Sequence, residues 1–186
     1  GIDTENTFYP RSFEELKIKH NLSDQKIVLS VAPNLMSEGK GGQWLLELEK
    51  RFKNENVKFI MIGVGDLSIS YDKNIIALGK ILDQIELAKY YTMADVFVIC
   101  SKRENFPTTC IEALACGTPV VGFGEGGTRE TAPGEYGYFV EYGDIDSIEN
   151  QLRLIIKGKG NFKSKVDCYK FGQGNYSKVS MFEKYI

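Results

Sequence analysis

Two glutamates eight residues apart, Glu104 and Glu112, mark the part of the sequence best suited to chemistry. The segment from the first glutamate to the second, ENFPTTCIE, follows an apolar run. It leads into an alanine-rich stretch that is predicted to be a helix from near Pro107. A helix N-terminus has unpaired backbone N–H groups and about half a positive charge, so it suits an anion. Two carboxylates can flank an anion site if each of them binds neutral hydroxyl groups of the ligand and not the anion itself. A sugar joined to a nucleoside diphosphate has this layout, with hydroxyls on either side of a diphosphate.

Glu112 is the harder of the two acids to explain as a simple surface residue. It lies within the apolar run IEALA, so we expect it to be partly buried and to need a hydrogen-bond partner. The alternative is that both glutamates are exposed acids without a role. The apolar neighbours of Glu112 favour a functional site over that alternative.

A glycine-rich turn, GKGGQW (39–44), follows the first predicted strand and opens a helix. Lys40 could meet a phosphate there, since glycines let the backbone approach a ligand closely. The turn is not a Walker A loop, because Asn34 occupies the early glycine position and Gly41 follows the lysine. A flexible loop with a solvated lysine remains the alternative.

Two further motifs have simpler explanations than the ligands they suggest. GFGEGG (122–127) matches the dinucleotide fingerprint, but Pro133 and Gly134 leave room for little more than one helical turn after it. Asp144 and Asp146 resemble a metal-binding D-x-D pair. They also precede an amphipathic helix, where aspartate is a preferred N-cap, so capping is the better interpretation.

The remaining candidates for chemistry read as structural residues. His20 has no base or ligand partner nearby in the sequence and is interpreted as a solvated surface residue. Residues 44–48 carry Trp and Leu at helical spacing, which predicts a core face. The cysteines form no CxxC pair, which argues against a zinc site and for small core residues in a reducing compartment: Cys100, Cys110, Cys116 and Cys168.

Length and pattern predict an α/β fold: a single Rossmann-like, doubly wound parallel sheet of about six strands with helices on both faces. The 186 residues suit one domain, and the net charge of −2 offers no general attraction for nucleic acid or acidic membranes. Continuously apolar runs alternate with amphipathic stretches. Predicted strands cover 26–32, 57–65, 75–79, 95–100, 119–123 and 137–142. Predicted helices cover 12–22, 41–55, 82–94, 108–116, 145–158 and 175–186.

The chain resembles the carboxy-terminal half of a family 4 retaining glycosyltransferase of the GT-B fold. The resemblance covers nearly all 186 residues and keeps the family's order of motifs. Its most specific part is the Glu-x7-Glu block continuing into EALACGTPVV and GG-x-x-E. The other matching segments are GIDTENTFYP, KIVLSVA, the KG of GKGG, MIGVGD, IIALGKI, YYTMADVFVICSKRENFP, GYFVEYGD and NYSKVSMFEKYI.

The resemblance implies a nucleotide-sugar site without a required metal or other cofactor. Glu104 would bind hydroxyls of the donor sugar and Glu112 those of the ribose, while Lys40 would neutralise the departing diphosphate. The backbone amides of Asn105 and Phe106 would face the sugar, those of Thr108 and Thr109 would face the diphosphate, and Gly79 to Ile81 would edge the nucleobase.

Two departures from the family pattern affect these roles. Ala32, Pro33 and Asn34 stand where the family often has a second diphosphate-binding arginine, and Arg103 or Lys102 could replace that charge. The sugar loop reads Asn105-Phe106-Pro107 rather than glycine-rich, which could change the sugar that fits.

The acceptor-binding domain would precede residue 1, so residues 1–186 form the donor domain and we expect no turnover from this chain alone. The full protein would transfer a hexose in glycan or polysaccharide biosynthesis. It would be cytoplasmic, and peripheral at the inner membrane face if the acceptor is lipid-linked; no nucleic-acid partner is expected. Two alternatives stay open: a nucleotide-sugar epimerase on the same fold, and a non-catalytic nucleotide-binding module.

Overall fold

Six parallel strands form a single sheet in the order β3-β2-β1-β4-β5-β6. The computed structural model describes residues 1–183. The strands are β1 Lys26–Val31, β2 Val57–Ile62, β3 Ile75–Leu78, β4 Val96–Ile99, β5 Val120–Phe123 and β6 Gly137–Val140. All six predicted strands are present, and the predicted fold class is confirmed.

Five of the six strands end one to three residues earlier than predicted. The largest difference is in β2, where Gly63 adopts a left-handed backbone with φ of 91°. A side chain at this position would also overlap the carbonyl oxygen of Ala32. The apolar pattern therefore continues past the strand, while the backbone already turns at the glycine.

Eight helices connect and flank the strands within the described residues. They are α1 Glu14–Lys19, α2 Gly42–Arg51, α3 Gln84–Met93, α4 Thr108–Ala115, α5 Thr128–Thr131, α6 Ile145–Ile156, α7 Lys165–Tyr176 and α8 Lys178–Glu183. A short 3-10 helix, Gly134–Tyr136, precedes β6. None of the helices in residues 1–183 is both long and apolar enough to cross a membrane.

Most of α7 was not predicted from the sequence. It carries two glycines and few apolar residues, so its pattern is weak, but Cys168 and Gly172 are buried. A methyl group at Gly172 would lie 2.6 Å from the backbone nitrogen of Ala115, so α7 packs closely against α4. The predicted helix 175–186 is instead divided at Ser177, which caps α8, and residues 184–186 lie outside the described part.

The core occupies both faces of the sheet, because neighbouring strand residues point in opposite directions. On one face Leu29 and Phe97 pack with residues of α3, α4 and α7. On the other face Val28 and Val98 pack with residues of α2 and α6. The order of the strands reverses between β1 and β4, which opens a crevice at the carboxyl edge of the sheet.

The structure tests several of the structural interpretations directly. All four cysteines are free and buried, as expected for core residues. Asp144 caps α6 by accepting a hydrogen bond from the Ser147 backbone at 3.1 Å. The interpretation of His20 as solvated was wrong: the ring is partly buried, and Nε2 lies 2.7 Å from the Tyr90 hydroxyl. The sequence could not show this contact, because Tyr90 lies 70 residues further along the chain and only the fold brings the two side chains together.

Candidate functional site

The crevice between β1 and β4 holds two adjoining cavities that together form one cleft. The Lys40 side, of about 110 Å³, is lined by Val31, Ala32, Pro33, Lys40, Ile99, Ser101, Glu104, Pro107, Thr108 and Thr109. The Glu112 side, of about 310 Å³, is lined by Val31, Ala32, Pro33, Ile62, Gly63, Lys80, Ile81, Gln84, Leu87, Thr108, Thr109 and Glu112. Both sides share Thr108 and Thr109, so the first turn of α4 lies at the centre of the cleft.

The N-terminus of α4 is open to a ligand. Pro107 is the N-cap residue and has no N–H, and no side chain caps the helix. The backbone N–H groups of Thr108 and Thr109 make no hydrogen bond to another described residue outside the helix. These groups and the helix dipole make the centre of the cleft suitable for an anion.

Lys40 and Glu104 form an ion pair on one side of this helix end. Lys40 Nζ donates to Glu104 Oε1 at 2.6 Å, and the two side chains are 32% and 19% exposed. Both side chains are therefore accessible, and a ligand can take the place of either partner in the ion pair. Two loops that come from β1 and β4 bring them together across 64 residues of sequence.

Close backbone packing fixes the Lys40 loop against the loop that carries Glu104. Gly41 has φ of 74°, and a side chain there would overlap the carbonyl oxygen of Cys100. The Lys102 backbone N–H also donates to the Gly39 carbonyl at 3.0 Å. The glycines of GKGGQW therefore hold two loops together and place the lysine at the cleft.

The GFGEGG segment supports the Glu104 loop from behind. Gly127 N donates to the Glu104 carbonyl at 2.9 Å, and Gly126 pairs with Glu104 in an isolated parallel bridge. A side chain at Gly127 would overlap the carbonyl oxygen of Asn105. The following helix, α5, has only four residues, as the sequence indicated. The glycines thus serve close loop packing in the described structure.

Glu112 is held on the opposite side of the helix end by a tyrosine. The Tyr91 hydroxyl donates to Glu112 Oε2 at 2.9 Å, and Tyr91 is fully buried. Burial raises the pKa of Glu112, and hydrogen bonds from the Tyr91 and Thr108 side chains oppose this rise. Glu112 also lines the cleft, and a carboxylate with two oxygens can accept a further hydrogen bond from a hydroxyl group of a ligand.

Six of the predicted site residues meet in the cleft: Lys40, Ile81, Glu104, Thr108, Thr109 and Glu112. The other four do not line it. Arg103 and Asn105 are exposed, while Phe106 places its ring edge against Tyr176 with centroids 5.9 Å apart. The Gly79 carbonyl accepts a hydrogen bond from Gly63 at 3.3 Å, at the end of β3.

The sequence interpretation missed Tyr91, and it placed Lys80 only within the nucleobase segment 79–81, without a role for its charge. A tyrosine in the apolar run YYTMA gave a weak signal, because only the fold shows that its hydroxyl meets a carboxylate 21 residues away. Lys80, and not Lys102 or Arg103, is the second cation that lines the cleft. Its position directly after Gly79, the glycine that follows β3, was the available clue.

The sequence profile described as "Glycosyl transferases group 1" matches residues 12–174. N-acetyl-alpha-D-glucosaminyl L-malate synthase from Bacillus anthracis is 24% identical over 163 residues, which cover 82% of this chain and 42% of that protein. The chain thus spans less than half the length of this relative.

Two solved structures share the fold. One is the C-terminal domain of a group 1 family glycosyl transferase (LpcC) from Francisella tularensis, with a TM-score of 0.79, 23% identity and coverage of 96% of this chain and 100% of that one. The other is HepE from Anabaena in complex with UDP-glucose, with a TM-score of 0.83, 17% identity and coverage of 99% and 54%. The sheet order, the cleft and the profile match agree, and the chain belongs to the group 1 glycosyl transferases, as a domain of GT-B type.

Proposed function

We propose that this chain is the donor-binding domain of a retaining family 4 glycosyltransferase, which transfers a hexose from a nucleoside-diphosphate sugar to an acceptor. The central observation is the position of the open α4 N-terminus between two carboxylates, one paired with Lys40 and one held by Tyr91. HepE, which has the same fold, binds UDP-glucose. A ligand of that kind would match the order of groups along the cleft.

In this proposal the diphosphate lies against the N–H groups of Thr108 and Thr109. The sugar lies on the Lys40 side, where Glu104 accepts hydrogen bonds from its hydroxyls. The nucleoside lies on the larger Glu112 side, where the Glu112 carboxylate accepts from the ribose and Ile81 contacts the base. Lys80 supplies a second positive charge at that end.

The cleft would favour breaking the bond between the sugar and the diphosphate. Negative charge grows on the leaving oxygen as this bond breaks, and a cation and preorganised N–H groups stabilise that charge. Lys40 lies where it can leave Glu104 and contact the diphosphate. Glu104 then accepts hydroxyl hydrogen bonds and need not form a covalent intermediate.

The donor cleft alone would not complete the reaction. The chain spans 42% of the length of the Bacillus anthracis relative, and we propose that a preceding domain binds the acceptor. We therefore expect no sugar transfer by the isolated 186-residue chain, and expect donor binding without turnover.

Calorimetric titration with UDP and UDP-glucose separates the proposed roles. Lys40→Met is expected to weaken both ligands about 10- to 100-fold, since a hydrogen bond to a charged group contributes about 1.5–3 kcal/mol. Glu112→Gln is expected to weaken both ligands, because both carry ribose. Glu104→Gln is expected to weaken UDP-glucose alone, because UDP has no sugar on the Lys40 side.

Glu5→Gln is the matched control, since Glu5 is an exposed acid that lines neither side of the cleft. It should leave both affinities unchanged. GDP and ADP, with their glucose conjugates, extend the same titration to other bases. The proposal fails if no nucleoside-diphosphate sugar binds at millimolar concentration, or if all three variants bind both ligands like the unmodified chain.

A further inference from the structure

A separate and larger cavity lies beside the donor cleft and has no part in the proposed function. We call it the aromatic groove; its volume is about 520 Å³, and its lining includes Ser37, Glu38, Gln43, Trp44, Glu47, Arg51 and Tyr142. It shares no lining residue with either side of the cleft. The β1–α2 loop contributes Lys40 to the cleft and Ser37 and Glu38 to the groove, so the two sites are neighbours.

Two aromatic rings form a corner in this groove. The planes of Trp44 and Tyr142 meet at 90°, with centroids 6.1 Å apart, and Tyr142 is 39% exposed. Both rings rest edge-on against the buried ring of Phe123, at 5.7 and 5.1 Å. Support from the core therefore fixes the orientation of two partly exposed aromatic surfaces.

The arginine that lines the groove is already paired with acids. Arg51 Nε donates to Glu47 Oε1 at 3.2 Å, and its Nη1 also contacts Glu149 at 2.9 Å and Asp146. Arg51 is thus occupied by three carboxylates and offers little to an anionic ligand. Glu38 is the only acid of the groove that has no cation partner within the described residues.

The remaining polar groups suit a ligand with hydroxyls. The side chains of Ser37, Glu38 and Gln43 make no hydrogen bond to another residue within residues 1–183. A hydroxyl and an amide each donate and accept, and a carboxylate accepts, so together they can pair with sugar hydroxyls in several orientations. A cavity of this size with aromatic walls and a few polar groups is typical of small-molecule sites.

We propose that the aromatic groove binds a neutral oligosaccharide. The apolar faces of sugar rings pack against Trp44 and Tyr142, and sugar hydroxyls pair with Ser37, Glu38 and Gln43. Aromatic surfaces with an unpaired polar rim that includes the Glu38 carboxylate favour this ligand over an anion. Glu47 is already paired with Arg51, so within the described residues the groove offers a cationic peptide only the Glu38 carboxylate. The site would hold a glycan beside the donor cleft, independently of nucleotide binding.

Trp44 is the only tryptophan of the chain, so its fluorescence reports on this groove alone. Maltotetraose, cellotetraose and chitotetraose are titrated to about 10 mM, ten times a weak Kd of about 1 mM. At least one is expected to give a saturable change in emission that persists with saturating UDP. Calorimetry repeats the titration without relying on Trp44.

Tyr142→Ala is expected to weaken that binding at least about 10-fold, and Tyr142→Phe to keep most of it. Tyr138→Ala is the matched control, since Tyr138 is 38% exposed but lies outside the groove. Gln43→Ala, at an exposed helix position, tests the site without disturbing the core and is expected to weaken binding about 3- to 10-fold.

The proposal is overturned if none of the three tetrasaccharides changes the emission or the heat. It is also overturned if Tyr138→Ala weakens binding as much as Tyr142→Ala, or if only a lysine-rich peptide binds, in a salt-dependent manner. UDP binding is measured on the same samples. If the chain binds UDP but none of the tetrasaccharides, the saccharide site is therefore refuted and the proposed donor cleft is not.

Discussion

The Tyr91→Phe variant removes a single oxygen atom from the buried side of the donor cleft. That oxygen donates to Glu112 Oε2 at 2.9 Å, and Tyr91 has no exposed surface. Phenylalanine keeps the ring packed edge-on against Phe97, with centroids 5.6 Å apart. The substitution therefore tests one hydrogen bond and leaves the packing of the ring in place.

The expected loss follows from the charge of the partner. A hydrogen bond to a charged group contributes about 1.5–3 kcal/mol, so we expect the free energy of unfolding to fall by about 2 kcal/mol at neutral pH. For a chain of this size that loss corresponds to a decrease in Tm of about 4–8 °C. UDP affinity should also fall, because Glu112 loses the group that orients it.

The loss should depend on pH in a defined direction. Burial raises the pKa of Glu112 in the folded state above its ordinary value of 4.5, so this group favours folding most below that pH. Its contribution declines as the pH rises from about 4.5 through the folded pKa and is constant above it. Removing the Tyr91 hydroxyl raises the folded pKa further. The deficit of Tyr91→Phe should therefore be larger at pH 8 than at pH 5.

Urea unfolding at pH 5 and pH 8, followed by the emission of Trp44, measures this difference. Tyr90→Phe is the matched control, since Tyr90 is equally buried but its hydroxyl contacts His20 at 2.7 Å. It should leave UDP affinity unchanged. In a Glu112→Gln background, Tyr91→Phe should lose most of its pH dependence.

Equal deficits at pH 5 and pH 8 would show that the hydroxyl does not stabilise a charged Glu112. The same conclusion would follow if the pH dependence persisted with Gln at position 112. Unchanged UDP affinity despite a confirmed loss of stability would separate the structural role of Tyr91 from any role in donor binding.

Three glycine variants test the close approaches between elements. Gly172→Ala should destabilise the chain by about 2–3 kcal/mol, since the new methyl group would lie 2.6 Å from the backbone of α4. Gly174→Ala in the same helix meets open space and should stabilise it by about 0.5–1 kcal/mol, which thermal unfolding of both variants measures. Gly127→Ala would overlap the carbonyl of Asn105 and displace Glu104, so calorimetry should show weaker UDP-glucose binding and nearly unchanged UDP binding. A tight Gly127→Ala complex with UDP-glucose, or equal stability of the two α7 variants, would contradict these assignments.

Local pattern was strong enough to predict most elements of the fold. Each strand is a short, continuously apolar run, which is typical of a parallel sheet covered on both faces. α4 was predicted closely because a proline precedes an alanine-rich run. α7 was missed because its stability comes from contact with α4 at Gly172, which leaves little trace in local periodicity.

Residues that are neighbours in the chain are enough to establish the parallel sheet, the open helix end after Pro107 and the two glutamates beside it. Which groups meet in the site depends on the fold: Lys40 pairs with Glu104 across 64 residues, and Tyr91 with Glu112 across 21. The fold also placed Lys80 in the cleft and left Arg103 outside. Residue spacing does not encode such pairings, since they follow from which strand ends adjoin in the sheet and how closely glycines let the loops approach.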